Sequence, residues 1–212
     1  MSSKIVPKLD PQDRLGNMVL VRPSGCPRLC TIEYSDLPKE LGSQTDDRGR
    51  LRIWAGSVAI HFFAVDFLAR VSGDPGSLPF HLARKKVPCI DAEGGPVRPE
   101  KENALKFEKF IFDVLPLADR WTVVETTRRD EFAPLKNATG PDSEPTVRQA
   151  LSDLAADWLQ KAGVRVPLRS DGGSAVPLEI SPLFALDPQE LASKVDRDRP
   201  IERPTYLGPD GA

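Results

Sequence analysis

KFEKFIFDVLPLADRWTVVETTRRDEFAPLKN, residues 106–137, joins an aromatic-rich apolar segment to a loop of alternating charge and ends on a lysine beside an amide. Phe110 and Phe112 are two apart, so on a strand both project to one side. There they could floor a sugar site, or pack an ordinary core beside Phe107. The run Trp121–Thr127 is rich in β-formers, while residues 112–119 read as helix or strand. Lys136 closes the stretch. In a loop it is either a surface lysine or a fixed charge at a pocket rim, suited to a phosphate oxygen. Lys106 and Lys109 flank the aromatic run and Glu108 interrupts it, but periodicity assigns them no role.

Upstream, residues 17–22 (NMVLVR) and 29–34 (LCTIEY) read as strands around the turn-rich Pro23–Pro27. Glu33 and Tyr34 follow directly on the second. An acid at a strand end suits sugar hydroxyls, and a solvated strand end is the bland alternative. Residues 51–65 are apolar enough for a central strand or strand pair. Asp66 reads as the N-cap of a short helix ended by Ser72–Gly76. Residues 78–86 look helical, and 87–91 form a short extended piece. Downstream, residues 146–162 form the clearest amphipathic helix, with a stripe of Val147, Leu151, Leu154, Ala155, Trp158 and Leu159 and a stop at Gly163. Residues 187–212 are charged and proline-rich and read as loosely attached.

A chain of 212 residues with 40% apolar and 28% charged residues has the composition of a globular α/β or α+β protein. A formal net charge of −2 argues against nucleic acid or an anionic membrane as main partner. Three cysteines offer no zinc spacing or pairing framework, and the N-terminus MSSKIVPKLDPQDR has no signal-peptide core. Reduced thiols in a cytoplasmic protein are the expectation. The most apolar window, 54–71, is broken by His61, Asp66 and Arg70 and is no membrane span. His61 reads as a core histidine, and no ligand cluster, acid–base pair or nucleophilic triad emerges, so no metal-binding residues are assigned. No glycine-rich phosphate loop, GxGxxG or GxxxxGK[ST], occurs in the chain.

Five collinear stretches carry a family resemblance: Ile32–Ser35 (IEYS), Ala55–Phe63 (AGSVAIHFF), Glu108–Asp113 (EKFIFD), Asp130–Ala138 (DEFAPLKNA) and Glu179–Leu183 (EISPL). In this order they resemble the C-terminal part of the eukaryotic-type UDP-N-acetylglucosamine and UDP-glucose pyrophosphorylase family, nearest its N-acetylhexosamine branch. The resemblance implies an α/β fold: a partial nucleotidyltransferase (Rossmann-like, GT-A) mixed sheet with flanking helices, entered in mid-sheet and lacking the N-terminal nucleotide-binding half. It places that domain at residues 1–185, before a polar tail at 186–212.

Further implications concern the site. Lys136 would be the catalytic contact to the phosphates. Gly16, Glu33 and Tyr34 would line the hexose site together with Gly56, Ser57 and Lys106, while Phe110 and Phe112 would wall the N-acetyl or C2 region. Ser57 and Ile60 stand where the family carries asparagines, and the serine loses an amide that both donates and accepts. The implied reaction makes a UDP-sugar and pyrophosphate from UTP and a sugar 1-phosphate. Mg²⁺ would be held mainly by substrate phosphates and the missing half. Implied partners are the sugar 1-phosphate or UDP-sugar, and either a separately encoded N-terminal half or a second copy of the chain. Alone, the chain is expected to be inactive. The alternative is a non-catalytic sugar-phosphate-binding or interaction remnant.

Overall fold

The run SSKIVP forms strand β1 (Ser2–Pro7), and its Ile5 and Val6 are among the most buried side chains of the protein. In the computed structural model, which describes residues 1–211 except Ser24, Pro75 and Ser77, the chain divides into Met1–Thr126 and Thr127–Ala212. Ser24 and Pro75, in two of the expected turns, and Ala212, at the end of the tail, thus lie outside the described residues.

In the first unit β1 is joined by β2 (Gly16–Val21) and β3 (Arg28–Ile32), then by a helical turn α1 (Lys39–Gly42) and β4 (Ala55–Phe62). Helix α2 (Val65–Ser72) leads to β5 (His81–Lys85) and to the short strands β6 (Cys89–Ile90) and β7 (Pro96–Val97). Then come β8 (Ala104–Glu108), a 3-10 helix (Ile111–Leu117) and β9 (Thr122–Glu125). The main sheet runs β3-β2-β4-β1-β9. It is mixed: β1 and β9 are parallel, and the other neighbours antiparallel. β1 is therefore an inner strand. Its core gathers Ile5, Met18 and Leu29 of the sheet beneath Phe112 and Leu115 of the 3-10 helix.

Four local expectations change. Residues 81–85 are a strand, paired antiparallel with β8 so that Leu82 faces Phe107, because cross-strand pairing overrides the helix preference of Arg84 and Lys85. The apolar run 51–65 is a strand only over 55–62, and Ala59 within it has a φ of 58° where the pairing with β1 slips register. Helix α2 starts two residues early, with Ala64 as N-cap, and Asp66 lies inside its first turn. Phe110 and Phe112 do not share a strand. Phe110 is extended and Phe112 lies in the 3-10 helix, where Pro116 removes a donor and Asp113 N–H bonds back to Phe110 O at 3.1 Å.

The second unit is built on helix α4 (Glu144–Lys161), preceded by a helical turn α3 (Arg128–Glu131). Strand β10 (Leu178–Ile180), helix α5 (Pro188–Lys194) and strand β11 (Thr205–Leu207) follow, with β10 and β11 parallel. Gly163, with φ of +90°, stops α4 as expected. The buried face of α4 is Ser152, Ala155, Ala156 and Leu159, so Leu151 of the expected stripe points to solvent. The segment 187–212, expected to be loose, is instead structural. Leu191 is fully buried, and Leu207 joins it in one core with Leu159 and Leu178. The two units meet at Thr126–Thr127, and the tail contributes Leu191 and Leu207 to the second core.

Candidate functional site

Gly16 opens β2 opposite Ser57 of β4. A Cβ on Gly16 would stand 2.8 Å from Thr31 Cγ2 and 3.6 Å from both Glu33 Oε1 and Ser57 Cβ. Three of the expected sugar-site residues, Gly16, Glu33 and Ser57, therefore converge on one patch, and only a bare backbone fits at its centre. Glu33 leaves β3 into a tight turn, its carbonyl accepting from Asp36 and Leu37 N–H at 3.0 and 3.1 Å. Tyr34 is exposed on that turn. Ser57 is buried, and its Oγ accepts from Ala59 N–H at 3.3 Å, at the residue with left-handed backbone.

Beneath this patch lies a network that sequence reading did not find. Asn17 is fully buried; its Nδ2 donates to Ile32 O at 3.1 Å and its Oδ1 accepts from Lys8 Nζ at 2.7 Å. The amide thus ties the start of β2 to the residue before Glu33. Burial pulls the Lys8 ammonium below its ordinary pKa, opposed by the charges of Asp13 and Asp10. Gly56 works differently from Gly16. A Cβ there would meet Leu15 Cδ1 at 2.5 Å and Val6 O at 3.1 Å, so its missing side chain makes room for packing.

Phe110 and Phe112 stack with centroids 4.8 Å apart and planes 14° from parallel. His81 meets Phe110 edge-on at 4.8 Å and places Nε2 2.8 Å from Asp113 Oδ2. Its Nδ1 is 3.9 Å from Asp36 Oδ2, on the turn that leaves Glu33. The imidazole thus lies between the aromatic pair and the acidic turn, with its hydrogen bond made to Asp113. His81 and Asp113 are 32 residues apart, and no local pattern signals such a pair. Lys106, on β8, pairs with Glu108 at 2.8 Å.

Lys136 belongs to the second unit, where its loop is held by backbone. The N–H groups of Lys136 and Asn137 both donate to Asp142 O, at 2.7 and 2.9 Å. Asn137 Nδ2 donates to Pro141 O at 2.7 Å, and Asp142 itself has a φ of 55°. A lysine on so constrained a loop loses little backbone freedom when it meets an anion.

His61 accepts or donates at Ser3 Oγ through Nδ1 at 2.8 Å, while its buried Nε2 has no partner among the described residues. Burial lowers its pKa from the ordinary 6.5. Among the described residues no three His, Cys, Asp or Glu side chains converge as metal ligands, and no helix is long and apolar enough to cross a membrane. The cysteines 26, 30 and 89 are free.

No family model matches the chain. Among curated proteins it is similar to the human UDP-N-acetylhexosamine pyrophosphorylase-like protein 1, with 34% identity over 225 residues, 99% of this chain and 43% of that protein. It is also similar to the UDP-N-acetylglucosamine pyrophosphorylase of Saccharomyces cerevisiae, with 35% identity over 173 residues, 78% of this chain and 35% of that one. A crystal structure assigned as a UDP-N-acetylglucosamine pyrophosphorylase from Entamoeba histolytica matches with a TM-score of 0.78 and 30% identity, over 98% of this chain and 49% of its own. The chain thus spans well under half the length of the curated relatives it matches. By sequence and by fold it is a relative of the UDP-N-acetylglucosamine and UDP-N-acetylhexosamine pyrophosphorylases, and it corresponds to a part of them.

Proposed function

We propose that the chain is the sugar-binding part of a uridylyltransferase that makes a UDP-N-acetylhexosamine and pyrophosphate from UTP and the sugar 1-phosphate. It would be a C-terminal part of a cytoplasmic nucleotidyltransferase of Rossmann-like fold. The observation that carries this is the convergence of Glu33 Oε1 and Ser57 on the bare backbone of Gly16, with the Phe110–Phe112 stack in the same unit. A carboxylate beside a glycine accepts hydrogen bonds from sugar hydroxyls, and an aromatic face takes the apolar side of the ring or an acetyl methyl.

In the reaction a phosphate oxygen of the sugar 1-phosphate attacks the α-phosphorus of UTP in line. The new P–O bond forms as the bond to the bridging oxygen breaks, and pyrophosphate leaves with that electron pair. Glu33, Tyr34 and Ser57 orient the sugar, and Gly16 lets its ring approach the backbone. Lys136 is assigned to offset phosphate charge. Lys106 already shares its charge with Glu108. Mg²⁺ held by the substrate phosphates would supply further charge neutralisation. The sequence holds no glycine-rich phosphate loop, so the cradle for the nucleotide phosphates must come from another segment or partner.

Calorimetric titration of the chain with UDP-N-acetylglucosamine, in parallel with Glu33→Gln, tests the reading. Saturable binding that weakens at least about tenfold in the variant is expected. Binding that the variant leaves intact, or no binding by the parent, overturns it. Binding without turnover when UTP and N-acetylglucosamine 1-phosphate are supplied is expected of the isolated chain. If a co-purified N-terminal half fails to restore turnover, the non-catalytic alternative is favoured.

A further inference from the structure

His81 takes no part in the sugar contacts just proposed, yet it stands where three segments of the first unit meet. It comes from β5, whose hairpin with β8 is separate from the main sheet. Its Nε2 lies 2.8 Å from Asp113 Oδ2, inside the 3-10 helix and next to Phe112. Its ring abuts Phe110 at 4.8 Å and 60° and Phe112 at 6.2 Å and 70°, both edge-on. Its Nδ1 faces Asp36, three residues beyond Glu33. Across the hairpin it is opposite Glu108, the partner of Lys106.

Two stacked phenyl rings have no directional bond of their own to fix their position. A hydrogen-bonded imidazole set edge-on against them supplies one, since edge-to-face contacts have a preferred geometry and the Asp113 bond fixes the imidazole. Asp113 is only 15% exposed, so the bond is shielded from water and strengthened.

We propose that His81 is a positioning residue that sets selectivity for the acetamido group at C2 of the sugar. Latched to Asp113, it holds the Phe110–Phe112 wall in a fixed position. A methyl group gains from an aromatic face only where that face waits for it, whereas a C2 hydroxyl gains little from it. This rests on the sugar-nucleotide reading above, and its test is built to fail separately.

The test has two arms on the full chain and on His81→Ala, Asp113→Asn and His81→Gln. The first is ligand-free: aromatic ¹³C–¹H spectra of Phe110 and Phe112. Both rings should shift in His81→Ala and in the near-isosteric Asp113→Asn, and return part-way in His81→Gln, which keeps a donor for Asp113. The second is the ratio of dissociation constants for UDP-glucose and UDP-N-acetylglucosamine. That ratio should fall about tenfold in His81→Ala while the UDP-glucose constant stays within about twofold. Unmoved ring signals overturn the positioning role whatever the ligands do. Moved rings with an unchanged ratio overturn the selectivity role. If the parent binds neither nucleotide sugar, the proposed function and the selectivity fall together, while the ring spectra still decide whether His81 positions the wall.

Discussion

Gly16 and Gly56 face each other's strands, yet one methyl group would do different things at the two positions. At Gly56 it would press on Leu15 and the Val6 carbonyl, overpacking that costs about 1–3 kcal/mol. At Gly16 it would press on Thr31 Cγ2 and also enter the patch shared by Glu33 and Ser57, so it would cost stability and occupy the site as well. We therefore expect Gly56→Ala to lower the urea midpoint while the folded protein keeps its affinity for UDP-N-acetylglucosamine. Gly16→Ala should lose affinity by about tenfold or more. Equal affinities in the two variants would remove Gly16 from the site. His61 gives a pH dependence with a definite sign. Its folded pKa lies below the ordinary 6.5 because burial disfavours the charged ring. Below that value the unfolded chain binds more protons, so the stabilisation present above pH 6.5 is lost as pH falls through the folded pKa. Urea midpoints between pH 7.5 and 5.5 should fall, and His61→Phe should flatten the slope. An equal slope in the variant would assign it to other groups. At this scale Glu33, Phe110, Phe112 and Lys136 stand out in the sequence because they sit in contiguous motifs. Lys8, Asn17 and His81 do not, because their partners lie on other strands or far along the chain.

Elements were legible where a pattern was local. Helix α4, strands β2, β3 and β9, and the Gly163 stop all follow from short-range periodicity and capping. β5 was missed because its strand character comes from β8, whose paired residues are 19 to 27 positions away. The tail was missed for a compositional reason. Its apolar residues are sparse, but Leu191 and Leu207 each land in the core, and Asp187 caps α5 by accepting from Glu190 N–H at 2.8 Å. The capping signal, Asp-Pro-x-Glu, is short, and the charged, proline-rich composition around it reads as disorder. The consequence is measurable. Leu191→Ala removes a fully buried side chain and should destabilise the second unit by about 2–5 kcal/mol. Hydrogen exchange at α4 and β10 amides would report it. Protection unchanged from the parent would return the tail to the status of an appendage.

For the molecule as a whole, surface area sets the constraint. The chain exposes 14438 Å². Two separate compact bodies of the sizes of its units would together expose roughly 11,700 Å² by the usual scaling. The excess over that, roughly 2,700 Å², is in the size range of an obligate interface. Part of it is apolar: Leu9, Val65, Ile90 and Leu183 are each more than 70% exposed. The sheet also ends on β3 and β9, with Val124 of β9 exposed, and such edges recruit other chains. The relatives carry more than twice this length, which offers one kind of cover, and a second copy offers another. We expect the 212-residue chain to associate with itself as concentration rises. Sedimentation velocity over roughly 1–100 μM, a span matched to modest interface affinities, should show the sedimentation coefficient climbing. A single monomeric boundary throughout, with a cooperative unfolding transition, would mean that these faces are tolerated by water and that no partner is needed to complete the fold.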